Sequence, residues 1–419
     1  MDGGWIQVKL TRRALIVVAL TALLACNASA VLPPEKAIVI LVSIDGFRWD
    51  YLDRFSPPAL SALAADGVRA EGLIPQFPSK TFPNHYTIVT GLTLAHHGII
   101  SNNMRAPDIP GEFAMSNRAV LADPRWWGGE PIWNTAEKQG RRAAAMFWPG
   151  SETVIGGRQA TFWTPFDDKL PNSERVNRVL GWLRLPEQER PSFLTLYFSD
   201  VDSAGHSRGP DSQDVRDAVM RVDQSIAQLV DGVKESGLAD RVHYVVVSDH
   251  GMAALSPDRM ILLDDYIDVT TADVVDWAPV LALSPKDGDV EKLYAALKGK
   301  HPALDVYRSS EIPAEYGLAG HPRLPAVFAI AKEGWFPTSK KEVQRWGEHD
   351  RHAPGGTHGY DVRAQSMQGL FIATGPRIRA GVTVKPFKNI HVYDFMCALL
   401  GIQPAKNDGD PAVTRDMLR

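Results

Sequence analysis

Two cysteines in 419 residues are too few to staple a fold of this size, so stability has to come from a buried core. A basic excess is also missing. The 45 lysines and arginines face 49 aspartates and glutamates, for a net charge of −4. With no basic stripe either, the chain is not expected to have a specific nucleic-acid partner, although a small phosphorylated substrate stays open. No apolar run reaches the roughly 20 residues that a bilayer span needs. Internal repeats and low-complexity segments are absent too, and the 44% hydrophobic and 22% charged content is that of a globular chain.

What is present begins with an address. Lys9, Arg12 and Arg13 precede a mostly apolar run over residues 14–25, which ends at the small-residue segment Ala28-Ser29-Ala30. This pattern predicts a signal peptide over residues 1–30, removed to leave a chain starting at Val31. Leu23-Leu24-Ala25-Cys26 offers an alternative, a lipobox with Cys26 as the lipidated residue and membrane attachment as the result. Either way the protein is expected to be exported, to the periplasm or outer envelope of a bacterium. Cys397, inside the apolar run 396–400, reads as a buried, inert thiol.

Residues 37–44 are mostly apolar and rich in β-branched side chains, and similar mostly apolar runs recur at 143–147, 193–198, 243–247 and 370–373. Such runs suit strands buried on both faces of a parallel sheet. Between them lie helical patterns. Over 211–237, Val215, Val219, Val222, Ile226, Leu229 and Val233 recur at helical spacing up to Gly237, a plausible C-terminal cap. The expectation is an α/β fold, a doubly wound and mainly parallel sheet flanked by helices. Residues 255–355 carry short candidate strands at 280–283 and 326–331 and many prolines. They read as a smaller inserted subdomain with an antiparallel sheet near the active face.

Polar clusters follow or flank the strands: Ser43-Ile44-Asp45-Gly46, Asp200-Val201-Asp202 through His206, Ser248-Asp249-His250-Gly251 and Gly356-Thr357-His358-Gly359. In an open α/β sheet the carboxyl ends of the strands form the ligand crevice, so at least three of these clusters should meet. An aspartate after a strand is by itself usually a turn former or helix cap. Four such clusters directed to one face are better explained by a site. Asp45, Asp202, Asp249, His206, His250 and His358 are carboxylates and imidazoles without thiolates, a donor set that suits zinc ahead of manganese or iron. Crowded carboxylates also call for divalent cations to offset their charge.

In Phe77-Pro78-Ser79-Lys80-Thr81-Phe82-Pro83-Asn84-His85-Tyr86, Thr81 is expected on a loop before a helix over 84–90. It is either a cap or a nucleophile activated by metal coordination. His85, His96 and His97 read as packing or supporting residues, Lys80 as an exposed lysine and Arg208 as ambiguous. Most of the eleven tryptophans read as core or pocket wall.

Asp45-Gly46, Lys80 through Tyr86, Gly98-Ile99-Ile100-Ser101-Asn102, Asp202 through His206, Asp249-His250-Gly251-Met252 and Thr357-His358-Gly359-Tyr360 together resemble the nucleotide pyrophosphatase/phosphodiesterase family of the alkaline phosphatase superfamily. The resemblance spans about residues 37–405 and implies an alkaline phosphatase-like core. It implies two Zn2+ ions, one held by Asp45, Thr81, Asp249 and His250, the other by Asp202, His206 and His358. Thr81 would be the nucleophile in a double displacement through a nucleotidyl-threonine, which water then hydrolyses. Asn102 would donate to a phosphate oxygen, Phe82 would pack on a nucleobase, and Phe166 in Trp163-Thr164-Pro165-Phe166 would cover the base's other face. The expected activity is hydrolysis of nucleotide phosphodiester and pyrophosphate bonds to nucleoside 5′-monophosphates. Alternatives are a phosphomonoesterase or a choline or lysophospholipid diesterase of the same superfamily and, from another class, a silent envelope protein that uses metals as a brace. A sulfatase is disfavoured, since Thr81 cannot become formylglycine. The sequence predicts no oligomeric state.

Overall fold

The computed structural model describes Met1, residues 33–348 and residues 353–419. The expected signal peptide and Cys26 therefore lie outside the described residues. Twelve strands are used below: β1 (Ile38–Ile44), β2 (Val68–Ala70), β3 (Ala143–Met146), β4 (Phe162–Thr164), β5 (Phe193–Phe198), β6 (Val242–Val247), β7 (Ala272–Asp276), β8 (Val280–Pro285), β9 (Leu304–Arg308), β10 (Val327–Ala331), β11 (Phe371–Thr374) and β12 (Val382–Val384). Six helices matter most: α1 (Pro58–Ala65), α2 (Thr81–Thr90), α3 (Asn172–Leu183), α4 (Asp200–Arg208), α5 (Gln213–Glu235) and α6 (Val392–Leu400).

An eight-stranded sheet in the order β12-β2-β11-β6-β1-β5-β3-β4 forms the centre. The run from β6 to β4 is parallel. β11 is the departure, antiparallel to both β6 and β2. All seven residues of β1 are buried, and they alternate between faces as the strand period requires. Val39 and Leu41 join the core under α2 and α6, whereas Ile38, Ile40, Val42 and Ile44 join the core under α1, α3 and α5. Both faces are thus covered, which is why the strands read as mostly apolar runs. The helix expected over 211–237 is α5, capped by the Ser212 hydroxyl on the Val215 amide and followed by Gly237 at φ +67°. Cys397 is buried in α6.

Residues 272–331 build a second, antiparallel sheet of order β7-β8-β10-β9. Its two faces serve different cores. Val280, Ala282, Phe328 and Ile330 pack into the main core, while Leu281, Leu283, Val327 and Ala329 close over a cluster of their own. Phe77, on the loop before α2, packs tilted against Tyr316 at 4.2 Å and edge-on to Phe328 at 6.3 Å. The second sheet therefore leans directly on the loop that leads to Thr81.

Two buried histidines make the core sensitive to acid. Nδ1 of His97 accepts from the Ile99 amide at 3.1 Å, and Nε2 of His243 accepts from the Arg377 amide at 3.2 Å. A protonated ring cannot accept either bond. Burial, then Arg323, pushes His97 down to about 3, and burial pushes His243 down to about 4. Below a pKa of about 6.5 the unfolded chain binds these protons and the folded chain does not. Each histidine therefore subtracts about 1.4 kcal/mol of stability per pH unit as pH falls from about 6.5 toward those values. His97→Gln should flatten the dependence of the urea midpoint on pH between 6 and 4 by about one proton, measured under chelator. An unchanged slope would contradict the assignment of His97 as a buried neutral ring.

Candidate metal and phosphoryl-transfer site

The site is built by register. Ile44 of β1 pairs with Phe198 of β5, and Ser43 pairs with Val247 of β6, so three adjacent parallel strands end level with one another. Asp45 leaves β1, Asp249 and His250 leave β6, and α4 starts just after β5. Within α4, Asp202 and His206 are four residues apart and share one helical face, with His206 Nε2 3.4 Å from Asp202 Oδ1. Gly46 makes the convergence possible. It turns at φ +67°, and a Cβ there would lie 2.9 Å from the Asp202 Cα. His358 arrives from the segment before β11, its Nδ1 donating to the Ser79 carbonyl at 2.8 Å.

Asp45, Asp249, His250 and His358 are all buried. Each of the three imidazoles has its Nδ1 against a backbone carbonyl: His206 on Gly356 at 3.0 Å, His250 on Gly251 at 2.9 Å, and His358 on Ser79. A carbonyl oxygen only accepts, so Nδ1 carries the hydrogen and a neutral ring presents a bare lone pair at Nε2. These Nε2 atoms meet. His206 and His358 are 3.1 Å apart, and His250 Nε2 lies 3.0 Å from Asp249 Oδ2 and 3.3 Å from Asp45 Oδ1. Asp45 Oδ1, Asp202 Oδ1 and Asp249 Oδ2 are buried without a hydrogen-bond partner. Lone pairs facing one another beside orphaned carboxylate oxygens form a donor set that lacks its cation.

Without that cation, the crowded carboxylates hold protons in its place. Burial, then the charges of Asp249 and Asp202, holds the Asp45 carboxyl well above its usual range. Burial alone would lower His250, but Asp249, Asp45 and Asp202 outweigh it and raise the ring to about 10. Burial and the neighbouring His250 and His206 push His358 well down.

Thr81 is not on a loop, as the sequence suggested, but is the first residue of α2. The helix can begin this early because Pro83 falls in its first turn, where a missing amide hydrogen costs little. Buried Asn84 accepts from the Gln76 amide and donates toward the Gln76, Pro78 and Lys80 carbonyls, fastening the preceding loop to the helix. The Thr81 side chain makes no capping bond but sits with Oγ1 3.3 Å from His250 Nε2. Asn102 accepts the Phe82 amide hydrogen through Oδ1 at 2.9 Å, which leaves its Nδ2 donors for a ligand.

Phe82 and Phe166 occupy separate aromatic groups. Phe82 packs edge-on to Phe113 and against Trp127, while Phe166, 39% exposed, packs edge-on to Phe147 and Tyr197.

Lys80 is a correction. It is buried, not exposed, and its ammonium lies 2.5 Å from Asp276 Oδ2. His85 was expected to support the site, and its ring does lie within the donor cluster with Asp45 and Asp249. Both nitrogens are hydrogen-bonded, Nδ1 to the Thr81 carbonyl at 2.9 Å and Nε2 to the Ser43 hydroxyl at 2.8 Å, and Nδ1 also lies 3.2 Å from the Asp249 carboxylate without bonding to it. Tyr197 was missed. Its hydroxyl donates to Asp45 Oδ2 at 2.6 Å and so aims the other oxygen at the cluster. The register that pairs Ser43 with Tyr197 was the available signal.

Residues 39–361 match the sequence profile of the family described as type I phosphodiesterase/nucleotide pyrophosphatase. The chain belongs to this family. Among its relatives, it is 34% identical over 419 residues to mouse ectonucleotide pyrophosphatase/phosphodiesterase family member 7, covering 97% of this chain and 92% of that one. It is 36% identical over 395 residues to the venom phosphodiesterase CdcPDE of Crotalus durissus collilineatus, covering 92% of this chain but 47% of the venom protein. In structure it resembles murine ectonucleotide pyrophosphatase/phosphodiesterase 5, solved as an inactive threonine-to-alanine variant in complex with AMP. The TM-score is 0.86 at 32% identity, with 91% of this chain and all of that one covered. Among the described residues of this family member, no helix is long and apolar enough to cross a membrane.

Proposed function

We propose that this chain hydrolyses phosphodiester and pyrophosphate bonds of nucleotides or nucleotide-like diesters, releasing nucleoside 5′-monophosphates, with Thr81 as nucleophile. The observation that carries the reading is Thr81 Oγ1 at 3.3 Å from His250 Nε2, beside three orphaned carboxylate oxygens. Two Zn2+ ions suit the donor set. Asp202 Oδ1, His206 Nε2 and His358 Nε2 stand 3.1–3.7 Å from one another. Asp45, Asp249 and Thr81 each bring an oxygen to within 3.0–3.3 Å of His250 Nε2. Donors bonded at about 2.0–2.1 Å in a tetrahedron are separated by about 3.3 Å. When bound, such ions lower the pKa of a hydroxyl or water and offset charge on phosphate oxygens.

The chain's own residues do the rest. Thr81 Oγ attacks phosphorus in line, the P–O bond to the leaving group breaks, and a threonine phosphodiester remains until water cleaves it. Asn102 Nδ2 is a preorganised donor for a non-bridging oxygen, and the first turn of α2 adds favourable partial positive charge. Phe82 and Phe166 are proposed as walls for the nucleobase. A diester is favoured over a monoester because the lysine next to the nucleophile is neutralised by Asp276 and so cannot meet a second negative charge. We also assign residues 1–30 as an export signal and 255–355 as an inserted subdomain.

The test compares p-nitrophenyl thymidine 5′-monophosphate with p-nitrophenyl phosphate on zinc-loaded protein starting at Val31. A kcat/KM ratio of at least about a hundred in favour of the diester is expected, about 2.7 kcal/mol of transition-state discrimination. A preference for the monoester would sink this reading in favour of a phosphatase.

A further inference from the structure

The second sheet reaches the site through one carboxylate. Asp276, the last residue of β7, has both its oxygens in use. Oδ2 takes the Lys80 ammonium and the Ser101 hydroxyl, and Oδ1 accepts the Trp277 amide at 3.0 Å. Lys80 immediately precedes the nucleophile Thr81, and Ser101 immediately precedes the donor Asn102. A single oxygen atom therefore holds the two segments that must flank the reacting phosphorus.

The clamp is dry. The Lys80 and Asp276 side chains are 5% and 7% exposed. The cavity beside them, lined by Pro78, Ile100, Ser101, Val275 and Val280, has only 10 Å³, at the lower limit for one water. Little room is left for solvent to replace either partner. The neighbouring anchors lie in the same direction. The Ser79 hydroxyl accepts from the Gly359 amide and donates to the Tyr360 carbonyl, tying the nucleophile loop to the His358 segment. Arg323, also from beyond β7, donates to the Gly98 and Trp126 carbonyls at 2.6 and 2.8 Å, holding the start of the segment that ends in Asn102.

We infer that Asp276 is a positioning residue for the reaction: through Lys80 and Ser101 it fixes the distance between the Thr81 hydroxyl and the Asn102 amide. The inference rests on the roles proposed above for those two residues. A charge-assisted bond to a shared oxygen sets a separation that packing alone leaves looser. It also gives the second sheet a task in the chemistry without contact with substrate.

Asp276→Asn alone would strand the Lys80 charge in the interior and endanger folding. The test is therefore the apolar pair Lys80→Met with Asp276→Leu, checked for thermal midpoint and metal content. On the chromogenic nucleotide diester, kcat should fall about 10- to 100-fold with KM within about threefold. Asn102→Ala should cost less in this background than in the parent, because the amide is already misplaced. If the pair does not fold, Ser101→Ala decides: a kcat loss of about threefold or more at unchanged midpoint supports the clamp. A folded pair with kcat within twofold of the parent, a fully additive Asn102→Ala effect, or an unaffected Ser101→Ala would overturn it. Thr81→Ala separates the two levels: if it stays active, the nucleophile assignment itself fails. If it is dead while the pair is unaffected, only the clamp fails.

Discussion

Replacing Thr81 with alanine should lower kcat for a nucleotide diester by at least about a thousandfold while the protein keeps its fold and its metals. The change removes the atom that forms the bond to phosphorus, so any residual rate has to come from water reacting in a site that still binds and polarises the ester. In enzymes stripped of their nucleophile such residual catalysis is real but orders of magnitude below the parent. The fold should tolerate the change. Thr81 opens α2, its hydroxyl makes no cap, and alanine is the better helix former. Its hydroxyl neighbours the His250 ring, which retains Asp249 at 3.0 Å and Asp45 at 3.3 Å. Thr81→Ser supplies the control, since it restores the hydroxyl without the methyl and should recover activity to within about 30-fold. Metal analysis alongside kinetics decides the matter. A folded, metal-replete Thr81→Ala protein that still turned over at a tenth of the parental rate would show that another group attacks phosphorus. The same protein, inactive but metal-replete, would also rule out the silent binding protein, for which this hydroxyl has no purpose.

What the sequence made legible follows from burial. β1, β3, β5 and β6 lie in the sheet interior, so they appear as apolar runs, and their bounds agree with the reading to within a residue. The run at 370–373 was equally visible, but its direction was not, because apolar content carries no sign of the antiparallel pairing of β11. The three-residue strands β2, β4 and β12 are too short to show a period. At the site, Asp45, Asp249 and His250 were legible because they lie within three residues of a strand's carboxyl end, and Asp202 with His206 because four-residue spacing shares a helix face. The misses are long-range pairs. Lys80 reads as exposed in isolation, since the carboxylate that buries it lies 196 residues away. Tyr197 sits in an apolar strand where an aromatic is expected, and only the register reveals that its hydroxyl reaches Asp45.

Exhaustive chelation should abolish turnover and lower the thermal midpoint, and zinc should restore both. In the folded chain, His206 and His358 hold their Nε2 atoms 3.1 Å apart, and three carboxylate oxygens are buried without a hydrogen-bond partner. That arrangement stores repulsion unless positive charge lies among the donors, so cations that bind the folded state and not the unfolded one are strongly coupled to stability. At a free ion concentration of about a thousand times Kd, each site contributes about 4 kcal/mol. For a chain of this length that corresponds to a fall of roughly 5 °C per site on removal. Stoichiometry then distinguishes one shared ion from two. Asp202 stands with His206 and His358, whereas Asp249 stands with His250 and Asp45. Asp202→Ala and Asp249→Ala should each reduce bound zinc from about two to about one per chain, with turnover down by at least about a hundredfold in both. Loss of all metal in either single variant would mean one cooperative cluster. Activity that survived verified removal of metal would detach the orphaned carboxylates from the chemistry altogether, leaving Thr81 without a means of losing its proton.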